Sequence, residues 1–194
     1  MATADRVPFF GLRPDDLASI VSECGLPAFT AKQVMDWVYA KGVTDFDAMT
    51  NVPARGRDAL AERIVFYEGE TVREQLATDG TRKILVAWPE PARGGALPVL
   101  GARRETECVM IPTEKRRTAC VSSQVGCPVG CRFCASGLDG LDGNLSTARI
   151  VEQVHRLGTL DGRISNVVFM GMGEPLALSL IHISEPTRHN PLSY

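Results

Sequence analysis

The sequence predicts an α/β protein built in three stages: a helical module, a short β segment, and a βαβ unit. Three patterns predict it. In the first stage, apolar residues recur at helical spacing between proline starts and glycine stops. From Thr71 the pattern switches to alternating strands, and from Ala119 a strand, a loop, a helix and an apolar strand follow in turn.

The helical module spans Arg13 to Ile64. Pro14 with Asp15 and Asp16 makes a helix start that suits the dipole, Leu17, Ile20 and Val21 supply the apolar stripe, and Gly25 stops it. Thr30 followed by Gln33 has the form of a capping box, after which Val34, Trp37 and Val38 repeat at helical spacing and Gly42 closes the element. Pro53 opens a third helix with Leu60 and Ile64 on one face. Asp79-Gly80 reads as the turn of a hairpin between Val72–Ala77 and Arg82–Trp88, and Pro89 to Gly101 reads as an exposed loop. Glu107 to Pro112 is strand-like. Ser146 or Thr147 can cap a helix carrying Ile150, Val151, Val154 and Leu157, with Gly158 as its stop. The run Ile164 to Met170 suits a strand buried on both faces. A strand–helix–strand crossover makes its two strands parallel, so the loops that follow each lie side by side at one end.

Four of the six cysteines crowd into Arg117 to Gly137. Cys127, Cys131 and Cys134 stand at C-x3-C-x2-C, and three thiolates are one short of the four that saturate a cysteine-held 4Fe-4S cluster. The fourth iron is then open to a chelating ligand. A zinc site, which prefers a closed tetrahedron, and cysteines that merely fill a core are the alternatives. Gly126, Gly130 and Gly137 would let the backbone wrap a bulky inorganic core. Just past the second strand, GMGEP (Gly171 to Pro175) combines two glycines with the carboxylate of Glu174.

Composition narrows the classes. A chain of 194 residues with 44% hydrophobic content is long enough for a packed core. The net charge of −2 carries no overall nucleic-acid signal, although Arg103–Arg104 and Lys115–Arg117 are local basic clusters. No stretch has the form of a signal peptide or a membrane span, and the cysteines argue for metal or redox chemistry over a disulfide framework.

The segment Pro27 to Pro53 closely resembles the N-terminal accessory domain of the RlmN-type methyltransferases, which modify adenine in RNA. ECVMIP at Glu107 to Pro112 matches that family's E-x-V-x-I-P signature, the C-x3-C-x2-C spacing resembles the radical SAM superfamily, and GMGEP is similar to the family's own motif. The resemblance implies that the last stage is the first βαβ unit of an incomplete (β/α)6 radical SAM barrel. It implies a 4Fe-4S cluster on Cys127, Cys131 and Cys134, and S-adenosylmethionine (SAM) bound by Gly171, Met172, Gly173 and Glu174, with Glu174 on the ammonium group. Glu107 is then the proton acceptor, and Cys120, in the family's C-V-S-S-Q-V-G-C context, the second redox-active thiol. Cys24 and Cys108 match no motif and are read as inert.

By the same resemblance the activity is methylation of carbon 2 of adenine in 23S rRNA and tRNA, through a methylated cysteine with no counterpart here. A soluble cytoplasmic monomer is expected, reduced by a protein such as flavodoxin and working away from membranes. The related carbon-8 methyltransferase and a noncatalytic metal- or RNA-binding module are the alternatives; Pro175 and Ile111-Pro112 favour carbon 2. The divisions expected are a helical accessory domain at 1–70, a β-hairpin region at 71–112, the start of the barrel at 113–177 and a tail at 178–194. That tail, with LSLIHISEPTR, resembles no barrel helix and reads as translated sequencing adapter, so its His182 and His189 are not taken as ligands. On this reading the chain holds a cluster but does not turn over.

Overall fold

The computed structural model describes residues 6–89 and 104–178. Most of the proline- and glycine-rich loop after Pro89, and the tail after Leu178, lie outside them. Leu178 itself is buried and donates its N–H to the Pro175 carbonyl at 3.0 Å.

The helical module forms as α1 (Pro14–Glu23), α2 (Phe29–Met35) and α3 (Ala54–Arg63). Asp16 accepts the Arg13 N–H at 3.0 Å and so closes the first turn of α1, while Gly25 leaves the helix at φ +71. Thr30 is not a cap. It sits inside α2, buried, with its N–H on the Pro27 carbonyl at 2.9 Å, because the turn at Pro27 begins the helix earlier than the Thr-x-x-Gln pattern suggests. A π-helical turn, Asp36–Ala40, prolongs α2 up to Gly42, also at positive φ. Ile64 starts a short strand, β2 (Ile64–Val65), paired in parallel with β1 (Val7–Pro8). Phe9, Phe10, Leu17, Val21, Val34, Val38, Phe46 and Leu60 fill this first core.

A five-stranded sheet follows, in the order β3 (Glu70–Leu76), β4 (Arg82–Trp88), β5 (Arg104–Pro112), β6 (Arg117–Cys120) and β9 (Asn166–Val168). It is antiparallel except for β6–β9, which is parallel. A separate hairpin pairs β7 (Gln124–Gly126) with β8 (Leu141–Asn144). The crossover between β6 and β9 runs through α4 (Thr147–Asp161), capped by Ser146, whose hydroxyl accepts the Arg149 N–H. Gly158 does not end α4: Asp161 still belongs to it, and the left-handed Gly162 (φ +93) is the stop. Ile84, Val86, Trp88, Cys108, Met110 and Ala119 from one sheet face pack with Leu157 of α4 as the second core.

The apolar run at Ile164 to Met170 yields only three strand residues, and it is not buried on both faces. β9 is an edge strand among the described residues, so Val167 stays 45% exposed and Phe169 and Met170 are exposed too.

Candidate functional site

The parallel register of β6 and β9 sets Cys120 opposite Val168, so the segments that leave both strands emerge at the same end of the sheet. One leads into the cysteine loop, the other into the turn Gly171–Pro175. The two are stitched together: the Met172 carbonyl accepts the Ser123 N–H at 2.8 Å, and the Val121 carbonyl accepts the Gly171 N–H at 3.2 Å.

The cysteine loop is closed at its base, where Cys127 N–H meets the Gly140 carbonyl at 3.0 Å. Gly126 (φ +76) has no alternative there, because a side chain would run into the Gly140 carbonyl oxygen. Farther out, Gly137 rests on the Gly130 backbone, leaving 3.1 Å between an added Cβ and the Gly130 Cα. Cys131 is exposed, Cys127 and Cys134 are half-buried, and all three thiols are free. Three soft donors on one glycine-jointed loop suit an iron–sulfur centre chemically. Their sulfurs stand apart: among the described residues no group of three His, Cys, Asp or Glu side chains is gathered closely enough to hold a metal ion.

Glu107 and Cys120 share the sheet face turned away from α4. Cys120 is opposite Val109, two residues along β5 from Glu107, and the two-residue period puts all three side chains on one side. Glu107 pairs with Lys83 at 2.9 Å and, with Arg73, Gln75 and Leu85, lines a shallow cavity of about 90 Å³. Burial pushes the Cys120 thiol up, while the backbone N–H of Met170, aimed at its sulfur, pulls it down. Cys108, on the opposite, covered face, is pushed up to about 12 by burial, as suits an inert core thiol. The Glu174 carboxylate accepts the Leu176 N–H at 2.9 Å and caps the short 3-10 turn Pro175–Ala177.

A larger cavity, about 850 Å³, lies elsewhere, between the π-helical turn and α4, lined in part by Tyr39, Lys41, His155 and Arg163. It contains no sequence-predicted site residue.

Residues 7–66 match the family model described as the ribosomal RNA large subunit methyltransferase N-terminal domain, and residues 121–185 match that of the radical SAM superfamily. The chain is 43% identical over 182 residues to a probable dual-specificity RNA methyltransferase RlmN of Chlorobium chlorochromatii, covering 89% of this chain and 46% of that one. The chain resembles the RlmN family over most of its own length. To the dual-specificity RNA methyltransferase RlmN of Rhizobium etli it is 39% identical over 195 residues, again 89% of this chain and 46% of the relative. A crystal structure of a radical SAM methyltransferase from Sphaerobacter thermophilus superposes with a TM-score of 0.77 at 33% identity, covering 91% of this chain and 50% of that one. The chain thus spans about half the length of the curated RlmN relatives it matches.

Three residues of the site escaped the sequence reading: Ser122, Gln124 and Gln153, all buried and all bonded to the two loops. Ser122 to Gln124, a polar run between Val121 and Val125, was the available signal. Gln153 gave none, since a helical glutamine ordinarily faces water.

Proposed function

We propose that this chain is the cluster-bearing part of an RNA methyltransferase that adds a methyl group to carbon 2 of adenine in 23S rRNA and tRNA in the cytoplasm. The observation that carries this is the juxtaposition of the cysteine loop and the Gly171–Pro175 turn at the ends of parallel neighbours β6 and β9. Cys127, Cys131 and Cys134 would hold a 4Fe-4S cluster, three thiolates being one short of saturating it. When bound and reduced, such a cluster would supply the electron for reductive cleavage of SAM, chemistry that is needed because an adenine ring carbon is no nucleophile. Gly171, Met172 and Gly173 offer backbone to SAM, and the Glu174 carboxylate pairs with its ammonium group. Glu107, on the open face, takes the proton that leaves the adenine carbon. Lys83 beside it keeps the carboxylate in place until then. Cys120 works as a thiolate on the same face: it attacks the sulfur of a second cysteine, outside this chain, that carries the product adduct, and the new sulfur–sulfur bond replaces the sulfur–carbon bond, whose electron pair stays on the carbon and takes a proton to free the methylated base. A reductant protein such as flavodoxin delivers the electron.

Two measurements test this. Anaerobic reconstitution with iron and sulfide should give about four irons per chain, lost in Cys127→Ala, Cys131→Ala or Cys134→Ala; uptake of zinc alone would favour a noncatalytic metal module. Joining the chain to the remaining half of the Rhizobium etli relative should then yield 2-methyladenine in RNA digests. 8-Methyladenine would transfer the assignment to the carbon-8 reaction, and an unmodified base from a cluster-loaded chimera would refute it.

A further inference from the structure

A strand that leaves its ladder must have its backbone polar groups satisfied by something else. Between β6 and β7 the chain does this at Ser122, which is fully buried, as are Ser123 and Gln124 beside it. Gln153 of α4, equally buried, takes the place of a neighbouring strand. Its Oε1 accepts the Ser122 N–H at 2.9 Å and its Nε2 donates to the Ser122 carbonyl at 3.0 Å.

With its backbone held from behind, Ser122 turns its hydroxyl forward. The hydroxyl donates to the Glu107 carbonyl at 2.6 Å and accepts the Met172 N–H at 2.8 Å. One serine therefore joins α4, β5 and the Gly171–Pro175 turn. Gln124 makes a parallel bridge: its Oε1 accepts the Glu174 N–H at 2.8 Å and its Nε2 donates to Asn144 Oδ1 at 2.8 Å. The turn lies flush on this platform. An added Cβ at Gly171 would fall 2.7 Å from Ser122 Oγ, and one at Gly173 (φ +102) 2.7 Å from Gln124 Cβ. The loop exit is pegged to the same platform, since the Leu145 N–H bonds the Ser123 carbonyl at 3.0 Å.

We propose that Gln153 and Gln124 are positioning residues for the cofactor-binding turn, Gln153 through Ser122 onto Met172 and Gln124 directly onto the Glu174 backbone. This rests on reading the turn as the SAM site. The two glutamines fix the turn against the exit of the cysteine loop through the protein alone, so the backbone at Met172 and Glu174 is set before any ligand arrives, and the ligand need not spend affinity on ordering it.

The test uses Gln153→Met and Gln124→Met, which keep side-chain volume and remove the amide, with Gln124→Glu as a rescue that retains an acceptor for the Glu174 N–H. In anaerobically reconstituted chain, iron and sulfide content, SAM affinity from the change in the reduced cluster's electron paramagnetic resonance signal, and amide hydrogen exchange are measured together. Iron content should stay at the wild-type level while SAM binding weakens about tenfold, the effect of one lost buried hydrogen bond. The Met172 amide should exchange about tenfold faster in Gln153→Met and the Glu174 amide in Gln124→Met, while the core amide of Leu157 keeps its protection and Gln124→Glu restores Glu174. Unchanged exchange at both turn amides, exchange that rises at Leu157 to the same extent, or wild-type SAM affinity with a loosened turn would overturn the proposal. If the wild-type chain loads its cluster but ignores SAM, the reading of the turn falls, and the exchange pattern still decides the positioning role. If Gln153→Met does not fold, Gln124→Met and Gln124→Glu decide it.

Discussion

Replacing Glu152 with alanine should be among the most damaging single changes in the chain. This carboxylate, 1% exposed, sits on α4 and grips the stretch that joins the two cores: Oε2 accepts the Glu68 N–H at 2.8 Å, and Oε1 accepts the Gly69 N–H at 3.1 Å and the Arg156 Nε–H at 2.9 Å. Arg156 continues the grip onto the Gly69 carbonyl and onto Thr71 Oγ1 at 3.0 Å, lying 4.1 Å over the Tyr67 ring. Alanine would strand two backbone donors and one guanidinium edge. Breaking a buried pair by removing one partner costs about 3–5 kcal/mol. Burial pushes the Glu152 pKa up even with three donors aimed at it, so desolvation already offsets part of the gain and the lower end applies, about 3 kcal/mol. At roughly 2–4 °C per kcal/mol for a domain of this size, Tm should fall by about 6–12 °C. Glu152→Gln should lose about half as much, because its carbonyl can replace Oε1 while its NH2 confronts the Glu68 N–H. Urea and thermal unfolding at pH 7 measure both. An alanine variant within about 0.5 kcal/mol of wild type, the range of an ordinary surface change, would refute the reasoning.

Three further outcomes are expected. His155, packed at a tilt against Phe10 and set between the Tyr67 hydroxyl (2.9 Å) and the Val38 carbonyl (3.2 Å), is held neutral: burial lowers its pKa below 6.5, Arg156 lowers it further, and the Val38 bond opposes them. A depressed folded pKa gives stability that is present above pH 6.5 and lost as pH falls through the folded value, so urea midpoints should drop on acidification, and that dependence should vanish in His155→Asn. In alkylation mapping at pH 8, Cys131 should react at least about a hundredfold faster than Cys108, whose pKa near 12 leaves it almost wholly protonated; equal rates would contradict the buried placement. Gly126→Ala, forced against the Gly140 carbonyl at positive φ, should cost about 2–3 kcal/mol and abolish iron uptake, whereas Gly130→Ala, at φ +62 in open space, should cost about 1 kcal/mol, as paired unfolding and iron assays would show.

Much of this was legible because it rests on residues with few structural options. Pro14, Gly25, Gly42 and Pro53 bound their helices, Asp79-Gly80 makes the hairpin, and the Cys127 to Cys134 spacing fixes a donor loop whatever surrounds it. What escaped depends on tertiary partners. Thr30 has the local pattern of a cap and is spent inside a helix; Ile164 to Met170 has the composition of a covered strand and, as an edge, is covered on neither side completely. The side chains of Arg149, Glu152 and Arg156 look like the wet face of an amphipathic helix, and each is instead turned onto the stretch from Tyr67 to Thr71 or its neighbours. Periodicity assigns one buried stripe to a helix, and α4 has no wet face of the usual width because it is packed from two sides.

That double burial makes α4 the element through which the helical module and the site are referred to each other. Ala148 and Val151 belong to the first core, Ile150, Val154 and Leu157 to the second, and Gln153 reaches the site backbone itself. The stretch at Glu68 and Gly69 is bonded to the same helix two turns at most from Gln153. A displacement of the module must therefore either break a buried carboxylate's bonds or drag α4 along the Ser122 backbone, where 2.9 and 3.0 Å hydrogen bonds tolerate little sliding. A load on the module is thus passed to the strand exit that leads into the cysteine loop, through the helix that bonds both.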